Sequence, residues 1–253
     1  MAEHPHIRTR PDCQVIALGM LPYDQAWALQ KRVVAARERG LIPDTLLLTE
    51  HPHTYTLGTA GRATNILLSP EALDARGISV RRVDRGGDVT YHGPGQLVGY
   101  PILALPRAGD GLHADVVAYV RLLEQMLIIA LGRFGVGAGA LSGYTGVWVE
   151  QRGAPAKIAA IGVRVTARRV TLHGFALNVT TDLSYFTGIV PCGIADKAVT
   201  SLEALLGVRL TLAQVAAAVT DAFGAVFARR LHQGDASALA ALPAPGGGPS
   251  DGG

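Results

Sequence analysis

Cysteine is scarce in this chain of 253 residues, which has only Cys13 and Cys192. Two are too few for a disulfide framework and fit a reducing compartment, with at least one thiol expected to be free. Charge is scarce as well. Charged side chains make up 17% of the residues, and 23 basic against 20 acidic groups leave a net +3. That excess is too small for a nucleic-acid footprint, although a mild basic bias suits an acidic protein partner. No apolar run approaches the roughly 18 residues of a membrane span. The richest, Leu122 to Leu131, is interrupted by Glu124 and Gln125. The opening MAEHPHIRTR lacks the apolar centre of a secretory signal. The expectation is a soluble, cytoplasmic protein that engages neither nucleic acid nor membrane.

What is present is apolar bulk, 49% of the residues, enough to bury a full core. One domain is expected over 13–233, after a flexible segment 1–12. From Gly234 the chain is dominated by Ala, Pro, Gly and Ser, which predicts a disordered tail over 234–253. Within the domain, Gln14 to Leu18, Thr45 to Thr49, Thr54 to Leu57, Ile78 to Val83 and Leu97 to Leu105 read as strands, with Pro101 hinting at an edge or bulge. Gly146 to Glu150, Lys157 to Thr166 and Val170 to Val179 follow in the same style. Helical periodicity spans Tyr23 to Arg39 and Ala114 to Phe134, and Ser69-Pro70 opens a short helix that Gly77 ends. Thr200 with Glu203 and Thr211 with Gln214 read as capping boxes. Strands cluster in twos and threes between helices, which predicts an α+β fold with a mixed or antiparallel sheet and packed helices.

Three segments have the composition of a chemical site. Arg85 to Gln96, RGGDVTYHGPGQ, concentrates glycine, proline and titratable side chains where backbone can approach a ligand closely. A tight turn between two strands explains the glycines equally well, and the run matches neither GxxxxGK[ST] nor GxGxxG. Pro191-Cys192-Gly193 sets a thiol in a turn. A lone cysteine is more often a buried hydrophobe, and a nucleophilic one needs a neighbouring cation, because at neutral pH a free thiol is mostly protonated. The candidate cation is Lys157, at the start of the apolar run KIAAIGVRV. In HGFALNV, His173 to Val179, Gly174 suggests a bulge or a ligand lying against backbone, with a plain interior strand as the alternative.

RGGDVTYHGPGQ, KIAAIG, HGFALNV and PCGI, in that order, together with the upstream HPHTYTLG at His51 to Gly58, resemble the octanoyltransferases of lipoate biosynthesis, the lipoyl(octanoyl) transferases. The resemblance spans roughly Leu18 to Gly207. It implies a fold similar to the biotin/lipoate protein ligase catalytic domain. The implied activity is transfer of an octanoyl group from octanoyl-acyl carrier protein to a lysine of lipoyl domains, in the E2 subunits of 2-oxoacid dehydrogenases and the glycine cleavage H protein, by a monomer that needs no cofactor. The family's acyl-bearing cysteine falls on Cys192, and the lysine that lowers its pKa falls on Lys157. The family's substrate contacts fall on Arg85, Gly86, Gly87, Asp88, Val89, Thr90, Tyr91 and His92, on Ala160, Ile161 and Gly162, and on Gly174, Phe175 and Ala176. An ATP-dependent lipoate or biotin ligase is the alternative within the fold, but it would leave Cys192 without a task and the chain has no GRGR-type phosphate loop. A metal-binding protein using His51, His53, His92 and His173 is the alternative outside it, and those histidines are scattered.

Overall fold

The computed structural model describes residues 10–109, 112–190 and 198–243. Strand β1 (Asp12–Met20) crosses over through helix α1 (Tyr23–Glu38) to a parallel neighbour, β2 (Asp44–Glu50), as a parallel pair requires. Beyond β2 the sheet continues antiparallel through β6 (Gln96–Ile102), β10 (Thr171–Asn178), β9 (Ala154–Val165), β8 (Tyr144–Gln151) and β7 (Ala138–Leu141). At the other edge β12 (Arg230–Gln233) lies parallel to β1, and the two-residue β11 (Ala198–Val199) runs parallel beside β9. A smaller sheet sets β3 (Thr54–Leu57) between β4 (Ser79–Arg82) and β5 (Val89–His92). The mixed sheet with packed helices is the α+β arrangement read from the sequence.

Both faces of the large sheet are covered. Helices α3 (Val116–Gly132) and α5 (Leu212–Val226) pack Leu123, Leu127, Val219 and Phe223 against Leu46, Leu48 and Leu177. On the opposite face, α1 contributes Ala26, Val33 and Val34 to a cluster with Ile16, Leu47, Val98 and Ile102. Consecutive residues of β2 thus enter different cores, which is why its sequence is a continuous apolar run instead of an alternation. In the small sheet, Tyr55, Leu57, Val89 and Tyr91 pack with Phe186 and Ile189, from and just after a 3-10 turn at Leu183–Gly188. Two further helices are short: α2 (Pro70–Ala75), capped by Ser69, and α4 (Leu202–Leu206). Among the described residues no helix is long and apolar enough to cross a membrane.

Several sequence expectations need correction. Strand β1 begins at Asp12, inside the segment 1–12 expected to be flexible, because β12 pairs Arg230 with it and the Arg230 guanidinium grips its carboxylate at 2.6 Å. Cys13, expected ahead of the first strand, is therefore a fully buried strand residue. Residues 234–243 do not continue as a structureless tail. A helix α6 (Ala236–Ala240) buries Leu239 in the α1-side core, and Arg32 Nη2 donates to the carbonyls of Leu239, Ala240 and Leu242 at 2.6, 2.7 and 3.0 Å. Residues 244–253 lie outside the described residues. Thr200 does not cap α4. Ser201 does, accepting from Ala204 N, whereas the Thr211–Gln214 capping box forms as read.

Pro101 is neither at an edge nor in a bulge: it sits in β6, between β2 and β10, paired with Leu46. Pairing of β10 with β6 reaches Phe175 opposite Gly99, and two residues further His173 takes a left-handed φ of +59°. Proline offers no N–H there, and the His173 N–H turns to Gln30 Oε1 on α1 at 2.8 Å. At Gly174 the close neighbour is the adjacent strand β6, and neither a bulge nor a ligand is what calls for the glycine: a Cβ would overlap the Gly99 carbonyl oxygen.

Candidate functional site

Residues from both sheets line a cavity of about 960 Å³, at the upper end of the range for small-molecule sites. Thirteen of the fourteen residues to which the resemblance assigns substrate contacts line it, from the Arg85–His92, Ala160–Gly162 and Gly174–Ala176 segments, and Lys157 lines it too. Tyr91 is the exception. Its ring lies in the small-sheet core, edge-on to Tyr55 and Phe186, and its hydroxyl meets His53 Nδ1 at 2.8 Å. Cys192 lies outside the described residues. Val190 and Val199, which flank residues 191–197, both line the cavity, and Val199 pairs with Lys157.

The glycine-rich segment is held on the sheet by backbone contacts that need the absence of side chains. Gly86 N–H donates to Val163 O on β9 at 3.0 Å, and a Cβ on Gly162 would come within 3.0 Å of Arg85 Cδ and Gly86 O. A Cβ on Gly58 would overlap Gly87 O. Arg85 is buried, and its Nη2 donates to Thr56 O at 2.7 Å and to Thr56 Oγ1 at 2.8 Å. Asp88 ties the 62–65 loop to this segment, accepting from Asn65 Nδ2 at 2.5 Å and from Arg62 N at 3.3 Å.

A chain of buried hydrogen bonds leads from this loop toward Lys157. Gln96 Nε2 donates to Tyr91 O and to Asn178 Oδ1, so its Oε1 accepts, and His92 Nδ1, 2.9 Å away, must carry the proton. His92 Nε2 is then an acceptor facing Thr56 Oγ1 at 3.4 Å. Burial holds the His92 pKa well below 6.5, with the neighbouring His51 pushing the same way, so the ring is neutral. Asn178 Nδ2 donates to Thr200 O at 3.0 Å, and Thr200 N–H donates to Lys157 O at 3.0 Å. His51 extends the polar layer: its Nδ1–H donates to Leu21 O and its Nε2 accepts from Tyr100 O–H, both at 2.6 Å. Burial lowers its pKa to about 4.

At the other end of the β9–β10 pair, His173 Nε2 meets Asp84 Oδ1 at 2.7 Å, and Arg164 also engages the Asp84 carboxylate. Burial lowers the His173 pKa, against the pull of Asp84. Lys157 lies near the Gly143–Thr145 side of the cavity, its Nζ 4.7 Å from the centre of the Trp148 ring. The four histidines weighed as a metal set do not assemble. Among the described residues no three His, Cys, Asp or Glu side chains are grouped to hold an ion. Tyr23 and Tyr100 line the cavity without having been singled out from the sequence, and Asn178, within HGFALNV, lines it without having been assigned a contact. Each is an ordinary residue of its own helix or strand, and only the topology gathers them.

The arrangement is a partly apolar cavity with Lys157, His92 and His173 among its lining residues. Residues 22–224 match the family model described as the lipoyl protein ligase A/B catalytic domain. An octanoyltransferase of Chloroflexus aurantiacus is 51% identical over 83% of this chain and 92% of its own length. One from Koribacter versatilis is 50% identical over 85% and 84%. Among solved structures, the bipartite lipoate protein ligase of Thermoplasma acidophilum superposes with a TM-score of 0.72 at 16% identity, covering 91% of this chain and 90% of its own. Lipoate-protein ligase A bound with ATP gives 0.68 at 17%, covering 90% and 92%. At such identities the structures speak for the fold alone, whereas the family match and the half-identical relatives reach further: the chain belongs to the lipoyl protein ligase A/B catalytic-domain family, beside that family's octanoyltransferases.

Proposed function

We propose that this chain moves an octanoyl group from octanoyl-acyl carrier protein to a lysine of a lipoyl domain, through a thioester on Cys192. The observation that carries the reading is half-identity to octanoyltransferases across more than four-fifths of the chain. A cavity suited to an acyl chain, with Lys157 among its lining residues, supports it. Lipoyl domains of E2 subunits and the glycine cleavage H protein are the proposed acceptors, met by a cytoplasmic monomer.

In the first step the Cys192 thiolate attacks the carrier thioester carbonyl. The new C–S bond forms as the carrier's C–S bond breaks, and the departing thiolate takes a proton. In the second, the neutral amine of the acceptor lysine attacks the acyl-enzyme, the Cys192 thiolate departs, and the amine loses a proton as the amide forms. Exchange of one thioester for another is nearly isoenergetic and amide formation is downhill, so the chemistry needs no nucleotide. Lys157 as an ammonium ion favours the thiolate and supplies a proton to the leaving sulfur. Apolar wall residues such as Val98, Ile161 and Phe175 receive the chain, and backbone N–H groups of the glycine-rich segment are suited to the oxyanion.

Purified enzyme, octanoyl-carrier protein and an apo lipoyl domain are to be incubated without ATP. The expected result is a lipoyl domain heavier by one octanoyl group. An absolute requirement for ATP would move the chain to the ligase class.

A further inference from the structure

Strands β8 and β9 do not pair evenly. Val147 opposes Ala159 while the next residue, Trp148, opposes Lys157, which leaves Ile158 as an extra residue in β9. Without that bulge, pairing continued from Val147 would set Trp148 against Ile158 and Lys157 against Val149. The bulge therefore makes Trp148 and Lys157 a directly opposed pair, and re-aiming a side chain beside a site is a common use of such a break.

The pair is in contact. Lys157 Nζ stands 4.7 Å from the indole centroid, inside the roughly 6 Å over which a ring face attracts a cation. Trp148 is 4% exposed, so little water competes for that face. Tyr144, another cavity residue, packs edge-on against the indole with ring centres 5.8 Å apart and fixes its plane.

The lysine stem also passes close to Gly146. Gly146 has a φ of +116°, and a Cβ there would come within 2.6 Å of Ala159 O and 3.5 Å of Lys157 Cε. The stem thus runs past a position that only glycine fills without strain. Gly146 N–H in turn donates to Glu124 Oε1 at 3.0 Å, and the other oxygen of this buried carboxylate accepts from Arg121 Nη1 at 2.5 Å. Glu124, the acidic interruption in the apolar α3 sequence, is used to anchor the turn beside Lys157.

We propose that Trp148 is a positioning residue for Lys157: its indole face holds the side chain at the cavity rim and favours its charged form. The inference rests on the proposed part of Lys157 in acyl transfer, and its test separates the two. Trp148→Phe and Trp148→Leu are made in a Cys13→Ser background, each also combined with Lys157→Met. Two quantities are read in proteins whose circular dichroism is native. The first is the ε-methylene proton shift of Lys157, identified by its loss in Lys157→Met. The second is the pH dependence of Cys192 alkylation by iodoacetamide.

The expected result is an upfield ring-current shift in the parent, reduced in Trp148→Phe and gone in Trp148→Leu. Alkylation near neutral pH should slow on the order of fivefold in Trp148→Leu and less in Trp148→Phe, with no added effect once Lys157 is methionine. An unshifted ε-methylene in the parent would overturn the contact. A Trp148→Leu effect of equal size in the Lys157→Met background would overturn the positioning role, since the loss would then be structural. Should Lys157→Met leave the alkylation profile unmoved, the role of the lysine in transfer fails, while the ring-current shift still decides whether Trp148 holds it. Should Trp148→Leu not fold, Trp148→Phe carries the same comparison.

Discussion

The two cysteines have opposite surroundings in sequence, and Cys13 illustrates why position decides reactivity. It is fully buried between β12 and β2, and burial, with Asp44 adding to it, pushes its thiol pKa up to about 12. Cys13→Ser should therefore retain turnover, and Cys13 should resist alkylation in the native protein. Rapid labelling of Cys13 in folded enzyme would contradict this. For Lys157, replacement by alanine should slow Cys192 alkylation near neutral pH, because each pKa unit regained by the thiol represents about 1.4 kcal/mol. Lys157→Arg should keep the charge while impairing proton transfer. Equal alkylation rates in wild type and Lys157→Ala would remove the lysine from the account. His51 provides a pH test. Its folded pKa of about 4 lies below the ordinary 6.5, so above the ordinary value both folded and unfolded chains are neutral at this ring. As pH falls from about 6.5 toward about 4, the unfolded chain binds a proton that the folded chain refuses, and stability drops by on the order of 3 kcal/mol. Urea unfolding of wild type and His51→Gln across that range should show the smaller loss in the variant. Identical losses would mean that His51 does not carry the dependence.

At the scale of elements, close backbone packing around the cavity is the feature most exposed to substitution. Gly174→Ala would drive a methyl group into the Gly99 carbonyl oxygen, atoms of two adjacent central strands that have no room to part. It should cost about 3 kcal/mol or more, read as a lowered Tm, and an unchanged Tm would contradict the packing. Arg32→Ala removes the donor that three α6-end carbonyls share, so stability should fall by about 1–2 kcal/mol with turnover retained. Loss of turnover there would show that α6 reaches the site. Much of this level was legible beforehand. Strand β3 at Thr54–Leu57, the Ser69 cap and the Thr211–Gln214 box all follow from local chemistry that the sequence displays. Helix α6 was not, because five residues are too few to hold a helix alone even when Ala-rich, and it is kept in place by Arg32 and the burial of Leu239. Pro101 misled for a related reason: the strand residue opposite it, His173, sends its N–H to Gln30 on α1, a partner remote in sequence.

For the whole molecule, the fold brings Arg85–Thr90, His92, Lys157, Ala160–Gly162 and Gly174–Ala176 to one cavity, although more than 80 residues separate the ends of that set. These motifs stood out in the sequence because each demands glycine or a titratable side chain at a fixed place. Tyr23 and Tyr100 complete the walls, and they were illegible because their roles depend on which strands and helices become neighbours. The same dependence hides Trp148, whose partnership with Lys157 arises from a one-residue register shift. The central claim is covalent transfer through Cys192, and it is tested most directly by intact-mass analysis of the enzyme after incubation with octanoyl-carrier protein, with neither ATP nor acceptor present. The account predicts one added octanoyl group, mapped to the Cys192 peptide, released by hydroxylamine and absent from Cys192→Ser. An unmodified enzyme that still acylates a lipoyl domain, or a fully active Cys192→Ala variant, would contradict it.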